Sequence, residues 1–228
     1  IDRRNPINAV NLDNNLNNYT FTSIYNPISR NNNYTRLLQN YRSIYIQLAA
    51  YHYIAFKDNE RTDMDKAEIH RNKALKVMTK MQDNIPEKTI RYDSKDLYYQ
   101  VGRLFGELGN KDELRRIVDN LMTREDIDIR DRLDFGQVYI SQLDSFEMGK
   151  TIFEGLYADF KEIESGDRLV SQKEMEEWRK SYTQIVSSLV FTYKQLDMKP
   201  KARLVLTDWL DKNPNDPVAQ KLMEDLKN

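Results

Sequence analysis

Few side chains in this sequence can do chemistry. Two histidines, His52 and His70, and no cysteine occur among 228 residues, which excludes thiolate zinc sites, cysteine nucleophiles and disulfides. A histidine-based metal site would need aspartate or glutamate ligands brought in by tertiary structure. The two histidines fall on different predicted helices, where a lone imidazole is more often structural than functional. Asp126-Ile127-Asp128 imitates the Asp-x-Asp pair with which many glycosyltransferases hold a divalent cation, and oxygen ligands would suit Mg²⁺ or Mn²⁺. Asp131 and Asp134 extend the acidic stretch, but Arg130 or its neighbours stand where an EF-hand needs its turn glycine, so a solvated inter-helix loop is the expectation. The seven glycines never take the G-x-x-x-x-G-K or G-x-G-x-x-G spacing of a phosphate-cradling loop. No catalytic residue, metal ligand or cofactor is assigned.

Fourteen tyrosines offer a different chemistry, since a phenol joins apolar area to a polar tip. Tyr41, Tyr45, Tyr51, Tyr53, Tyr98 and Tyr99 could stack sugars or grip a peptide. Packing in inter-helix seams is the expected role, except for whichever of Tyr51 or Tyr53, and of Tyr98 or Tyr99, faces outward. Lys111, Arg115 and Arg116 form a small basic group interleaved with Asp112, Glu113 and Asp119, as on a solvated helix face. With 35 basic against 36 acidic residues the net charge is −1, which argues against a nucleic-acid partner. Asn18-Tyr19-Thr20 and Asn33-Tyr34-Thr35 match the N-glycosylation sequon, a pattern too short to carry functional weight.

The elements that position these groups are helical. Only seven glycines and six prolines occur, too few for an all-β fold rich in tight turns. Residues 1–33 are dense in asparagine, with Pro6 and Pro27, and predict an extended or looped leader lying on the first helices through Leu16, Tyr19, Phe21, Ile24 and Tyr25. From Tyr34 apolar residues recur at spacings of three and four, which predicts a helix over about 34–57. Its most apolar stretch, Ile44 to Phe56, is interrupted by Gln47 and His52 and is too short to span a membrane. A second helix starts at Thr62 or Asp63 and ends near Asn84. A third runs from a cap at Asp93 or Ser94 to a stop at Gly109, and a short link turns it back against a fourth through Leu114 to Met122. A fifth carries Leu133 to Leu143, and a sixth runs from Ser145 to the Ser165-Gly166-Asp167 break. Ser171-Gln172-Lys173-Glu174 is a capping box opening a seventh. Pro200 and Pro217 each sit in the first turn of a further helix.

Helix pairs joined by tight turns invite a test for the 34-residue tetratricopeptide period. Residues 183–216 fit it best, with Leu189, Tyr193, Ala202, Leu206, Trp209 and Pro214 at the expected places and Val190 where a small residue is usual. The same spacing selects Val101, Gly102, Phe105, Leu114, Val118 and Leu121 earlier, and Ala74, Met78, Met81 and Pro86 in a degraded first unit. The fifth and sixth helices keep Tyr139 but carry Met148 and Gly155 at other key places. The expected architecture is all-α, a right-handed tetratricopeptide-like superhelix of about eight or nine helices over residues 34–228, with a concave surface for a protein or peptide partner. Tyr99, Arg103, Gln137, Gln184 and Ser188, on the first helices of the pairs, are the expected groove residues.

Leu37-Leu38-Gln39-Asn40-Tyr41-Arg42, then Val77-Met78 leading to Ile85-Pro86-Glu87, then Tyr98 to Gly109 together give the chain a family likeness. Over about residues 20–165 it resembles the soluble C-terminal tail of bacterial multi-pass membrane proteins related to protein O-mannosyltransferases. The resemblance implies a membrane-embedded, glycosyltransferase-like portion upstream of Ile1 that carries any catalysis, and a non-enzymatic helical tail here. It places the tail at the bacterial inner membrane, on the periplasmic side, with the cytoplasm as the alternative. A free-standing tetratricopeptide adaptor and a carbohydrate-binding domain are the competing functions; the latter needs the outward tyrosines clustered with Asp126 and Asp128.

Overall fold

The computed structural model describes residues 7–21, 24 and 32–226. Among them are ten helices and no strand: α1 Ala9–Asn18, α2 Asn32–Asn59, α3 Met64–Asn84, α4 Lys95–Glu107, α5 Lys111–Met122, α6 Ile129–Ser141, α7 Phe146–Ser165, α8 Gln172–Gln195, α9 Lys199–Lys212 and α10 Pro217–Asp225. The fold is all-α. No helix among the described residues is long and apolar enough to cross a membrane.

The leader departs from its expected extended form, because α1 lies within it. Asparagine disfavours helix interiors but is among the best N-caps, and here Asn8 accepts from the Asn11 amide at 3.0 Å. Leu16 then makes the helix worthwhile by burying its side chain. Ile24 is buried as well, while Tyr25 lies outside the described residues.

The caps explain the other boundaries. Asp63 accepts from the Lys66 amide at 3.0 Å, and Ser94, not Asp93, caps α4 by accepting from Leu97. The Ser171–Glu174 box forms in both directions. Gly109 follows α4 with φ +85°, and a Cβ there would also meet Arg71 Nη2 at 2.6 Å. That arginine donates through Nε to the Leu108 carbonyl at 2.7 Å, tying α3 to the end of α4.

The chain divides into two compact units, residues 1–117 and 118–228. In the first, α2 and α3 pack together along their lengths and α1 rests on α2. The Leu108–Asn110 turn sends the chain back so that Gly102 faces Ile117, which leaves no room for a side chain at 102. A buried arginine supports the connection from α3 to α4. Arg42 is fully buried; its Nη2 donates to the carbonyls of Ile85 and Ile90 at 2.9 and 2.5 Å, and its Nη1 donates to Gln39 Oε1 at 2.7 Å. Its guanidinium carbon lies 3.8 Å from the centre of the Tyr92 ring, which stacks on Tyr98 at 4.6 Å.

In the second unit α6 packs on α7, α7 on α8 and α8 on α9, with α10 against α8 and α9 and with α6 also touching α8. Gly136 and Gly149 allow the close approach of α6 and α7: a Cβ at 136 would lie 2.6 Å from the buried Phe153 ring, and one at 149 would collide with the Ile140 side chain. Phe160, Tyr182 and Trp209 form an aromatic series through α7, α8 and α9, with ring centres 4.4 and 6.0 Å apart. At its edge Asp208 accepts from the Tyr157 hydroxyl at 2.7 Å and from Lys161 at 2.9 Å. These donors hold the Asp208 carboxyl below its ordinary range despite the opposing effect of burial.

Candidate functional site

Two places gather side chains that could meet a ligand, one in each unit. In the second unit Gln137 of α6 donates through Nε2 to Ser188 Oγ of α8 at 2.6 Å. The bond borders an open recess of about 380 Å³ lined also by Ile140, Ser141, Ser187 and Phe191. Phe191 is 45 % exposed, and its ring stands 6.4 Å from that of Phe146. A carboxamide keeps a second N–H, and a hydroxyl keeps lone pairs, after one mutual hydrogen bond. The recess therefore offers polar and apolar partners side by side.

Of the five residues expected to line a groove, the structure brings together Gln137 and Ser188. Gln184 is exposed on α8, one turn before Ser188, and does not line the recess. Tyr99 and Arg103 lie on α4 in the other unit, half-buried and exposed respectively. Sequence reasoning missed Phe191. Its position two residues beyond Leu189 and two before Tyr193 puts a large apolar ring off the buried stripe of α8, a signal that was available.

In the first unit a cavity of about 410 Å³ lies between α1, α2 and α3. At its side His52 Nδ1 and His70 Nδ1 are 3.0 Å apart, so one ring donates N–H to the bare nitrogen of the other. Burial, then His70 and Lys73, push His52 down to about 4, with Asp13 acting weakly the other way. His70 is lowered by its own burial and by Lys73 and Lys66. The helix assignment of the two histidines gave no hint that they meet, because eighteen residues and a turn separate them. No group of three His, Cys, Asp or Glu among the described residues is arranged to hold a metal ion.

The pair has a measurable consequence. An ordinary histidine titrates near 6.5, the unfolded value, and His52 titrates near 4 when folded. Between these values the unfolded chain binds a proton that the folded unit refuses, so stability falls as pH drops from about 6.5 to about 4 and levels off below. Urea unfolding across this range is expected to show wild type losing about 2–3 kcal/mol more than His52→Gln. Parallel curves for the two proteins would remove the pair as the cause.

The acidic motif has structural employment. Asp128 caps α6, accepting from the Arg130 and Asp131 amides, while the Asp131 carboxylate accepts from the Asp128 amide. Asp126 pairs with Arg124 at 2.8 Å. Of the tyrosines, Tyr45 and Tyr98 are buried and Tyr99 takes the more outward position beside Tyr98. On α5, Arg116 pairs with Glu113 at 2.8 Å. Comparison with protein-family models, with curated proteins and with solved structures gave no match.

Proposed function

We propose that this chain is a non-catalytic, tetratricopeptide-like scaffold that holds an extended protein segment on the face formed by α6 and α8. The observation carrying this proposal is the Gln137–Ser188 contact beside an open recess on the first helices of two successive pairs. An extended peptide brings backbone N–H and C=O groups that must find partners once they leave water. Gln137, Ser141 and Ser187 supply such partners along one edge, and Phe191 with Ile140 supplies apolar contact for one side chain. The order of packing, α6 on α7, α7 on α8 and α8 on α9 with α6 touching α8, supports a stacked-pair arrangement.

We propose further that the chain is the tail of a membrane glycosyltransferase-like protein, held at the outer face of a bacterial inner membrane. Two segments behind the resemblance meet in space: Arg42, from Asn40-Tyr41-Arg42, holds the carbonyl of Ile85 at the Ile85-Pro86 turn. A structural purpose for both segments supports a shared tail architecture. Immunoblotting of the source cell checks this part directly. A product much larger than 27.1 kDa that resists alkaline carbonate washing of membranes is the expected result, and a soluble product near that mass would contradict it.

Peptide binding is tested by panning displayed random peptides on the whole chain. Enriched peptides are expected to bind wild type and to lose at least about ten-fold in affinity for Ser187→Trp, whose indole would fill the recess. Enriched peptides indifferent to that substitution would place binding elsewhere.

A further inference from the structure

The cavity under α1 has the size of a small-molecule site and a lining of two distinct kinds. Its volume of about 410 Å³ falls within the roughly 300–1,000 Å³ common for organic ligands. Leu16 of α1, Leu48 of α2 and Val77 of α3 give it buried apolar walls. Lys73, Lys76 and Lys80 line it from one side of α3, at spacings of three and four. Against three lysines and the two histidines stands one carboxylate among the described lining residues, Asp13 of α1. Lys80 donates to Asn17 Oδ1 and so is tied to α1, whereas Lys73 and Lys76 are exposed at the mouth.

This division selects among ligands. A cation would meet the lysines without enough opposing charge. A wholly hydrophilic anion would gain from the lysines but leave the apolar walls unused. An anion with an apolar body satisfies both parts, with its head group at Lys73 and Lys76 and its chain over Leu16, Leu48 and Val77. The N–H that the His52–His70 pair leaves outside its own hydrogen bond adds a neutral donor in the same lining. We propose that the α1-roofed cavity is a binding site for an amphipathic monoanion of the medium-chain alkyl carboxylate or sulfonate class. The site is independent of the α6–α8 recess and stands or falls without it.

Decanesulfonate, whose head group stays charged across the working pH range, is the probe, used below its micellar concentration with the full chain. Calorimetry is expected to show saturable binding to one site, weakened about ten-fold or more by the double substitution Lys73→Glu with Lys76→Glu and by raised salt. Both lysines are exposed, so this variant retains the fold, which circular dichroism verifies. Decyltrimethylammonium, with the same chain and the opposite charge, is expected to bind at least about ten-fold more weakly to wild type. Amide shifts on titration are expected at residues of α1, α2 and α3 around Leu16, Leu48 and Val77. Equal binding of both head groups, indifference to the lysine reversals, shifts confined to Ser187–Phe191, or the absence of saturable binding would each overturn the proposal.

Discussion

Replacing Arg42 by alanine is expected to destabilise the first unit by about 4 kcal/mol, measured as the shift in urea unfolding. The substitution orphans the Ile85 and Ile90 carbonyls, which both accept from the same guanidinium nitrogen, and a buried acceptor left without a partner costs about 1–3 kcal/mol. It also removes the cation held over Tyr92 at 3.8 Å, worth roughly 2 kcal/mol where water is excluded. Opposing these losses, alanine relieves the cost of burying a charge. That cost is evident in the guanidinium itself, which burial pulls below its ordinary pKa while Tyr92, Glu87 and Asp93 pull it back up. Arg42→Lys keeps the charge but has no planar fork to reach Gln39 with one arm and the two carbonyls with the other while lying flat on the Tyr92 ring; it is expected to recover less than half of the loss. Full recovery by lysine would show that one cationic nitrogen suffices and that the guanidinium's second arm and its contact with Tyr92 do not matter.

The second large effect comes from the glycines of α6 and α7, where adding a side chain is expected to give opposite signs at two positions. Gly136→Val places a branched side chain where even a Cβ lies 2.6 Å from two atoms of the Phe153 ring, itself fully buried. Overpacking of that kind costs about 1–3 kcal/mol, and separation of the two helices loses further contact, so a loss of about 3 kcal/mol is expected. Gly155 is different. A Cβ there meets only Arg132 Nη2, at 3.3 Å, the end of a long side chain whose other terminal nitrogen pairs with Asp159, and a shift of that end by a few tenths of an ångström makes room. Gly155→Ala should therefore show the helix-propensity gain, up to about 1 kcal/mol of added stability. Thermal and urea unfolding of the two variants and wild type check both signs. A stabilised Gly136→Val would mean that α6 and α7 are further apart than described.

How much of this was legible in the sequence depended on how local the signal was. Nine of the ten helices among the described residues were marked by apolar periodicity and by caps a few residues away, such as Asp63, Ser94 and Ser171 with Glu174. The tenth, α1, is hidden because asparagine has low helix propensity, while burial of Leu16 decides the outcome in the fold. Gly102 was picked out by the repeat spacing, but Gly136 and Gly149 were not, since the residues they accommodate come from the partner helix. Arg42 and the histidine pair were illegible for the same reason. A buried arginine on a helix looks like any surface arginine until the carbonyls it serves, forty-three and forty-eight residues away, are folded around it. Of the recess, Gln137 and Ser188 are residues that placement on first helices singles out, whereas the phenyl ring beside them requires knowing which face of α8 stays uncovered.

The central claim is that the face of α6 and α8 receives an extended segment. The most direct measurement is amide chemical-shift mapping of the isotopically labelled chain titrated with the strongest peptide from the displayed library. The expected result is a contiguous set of shifts at Gln137, Ser141, Ser187, Ser188 and Phe191, saturating with the peptide and absent in Ser187→Trp. Saturating shifts that spare these residues and gather on another surface would contradict it.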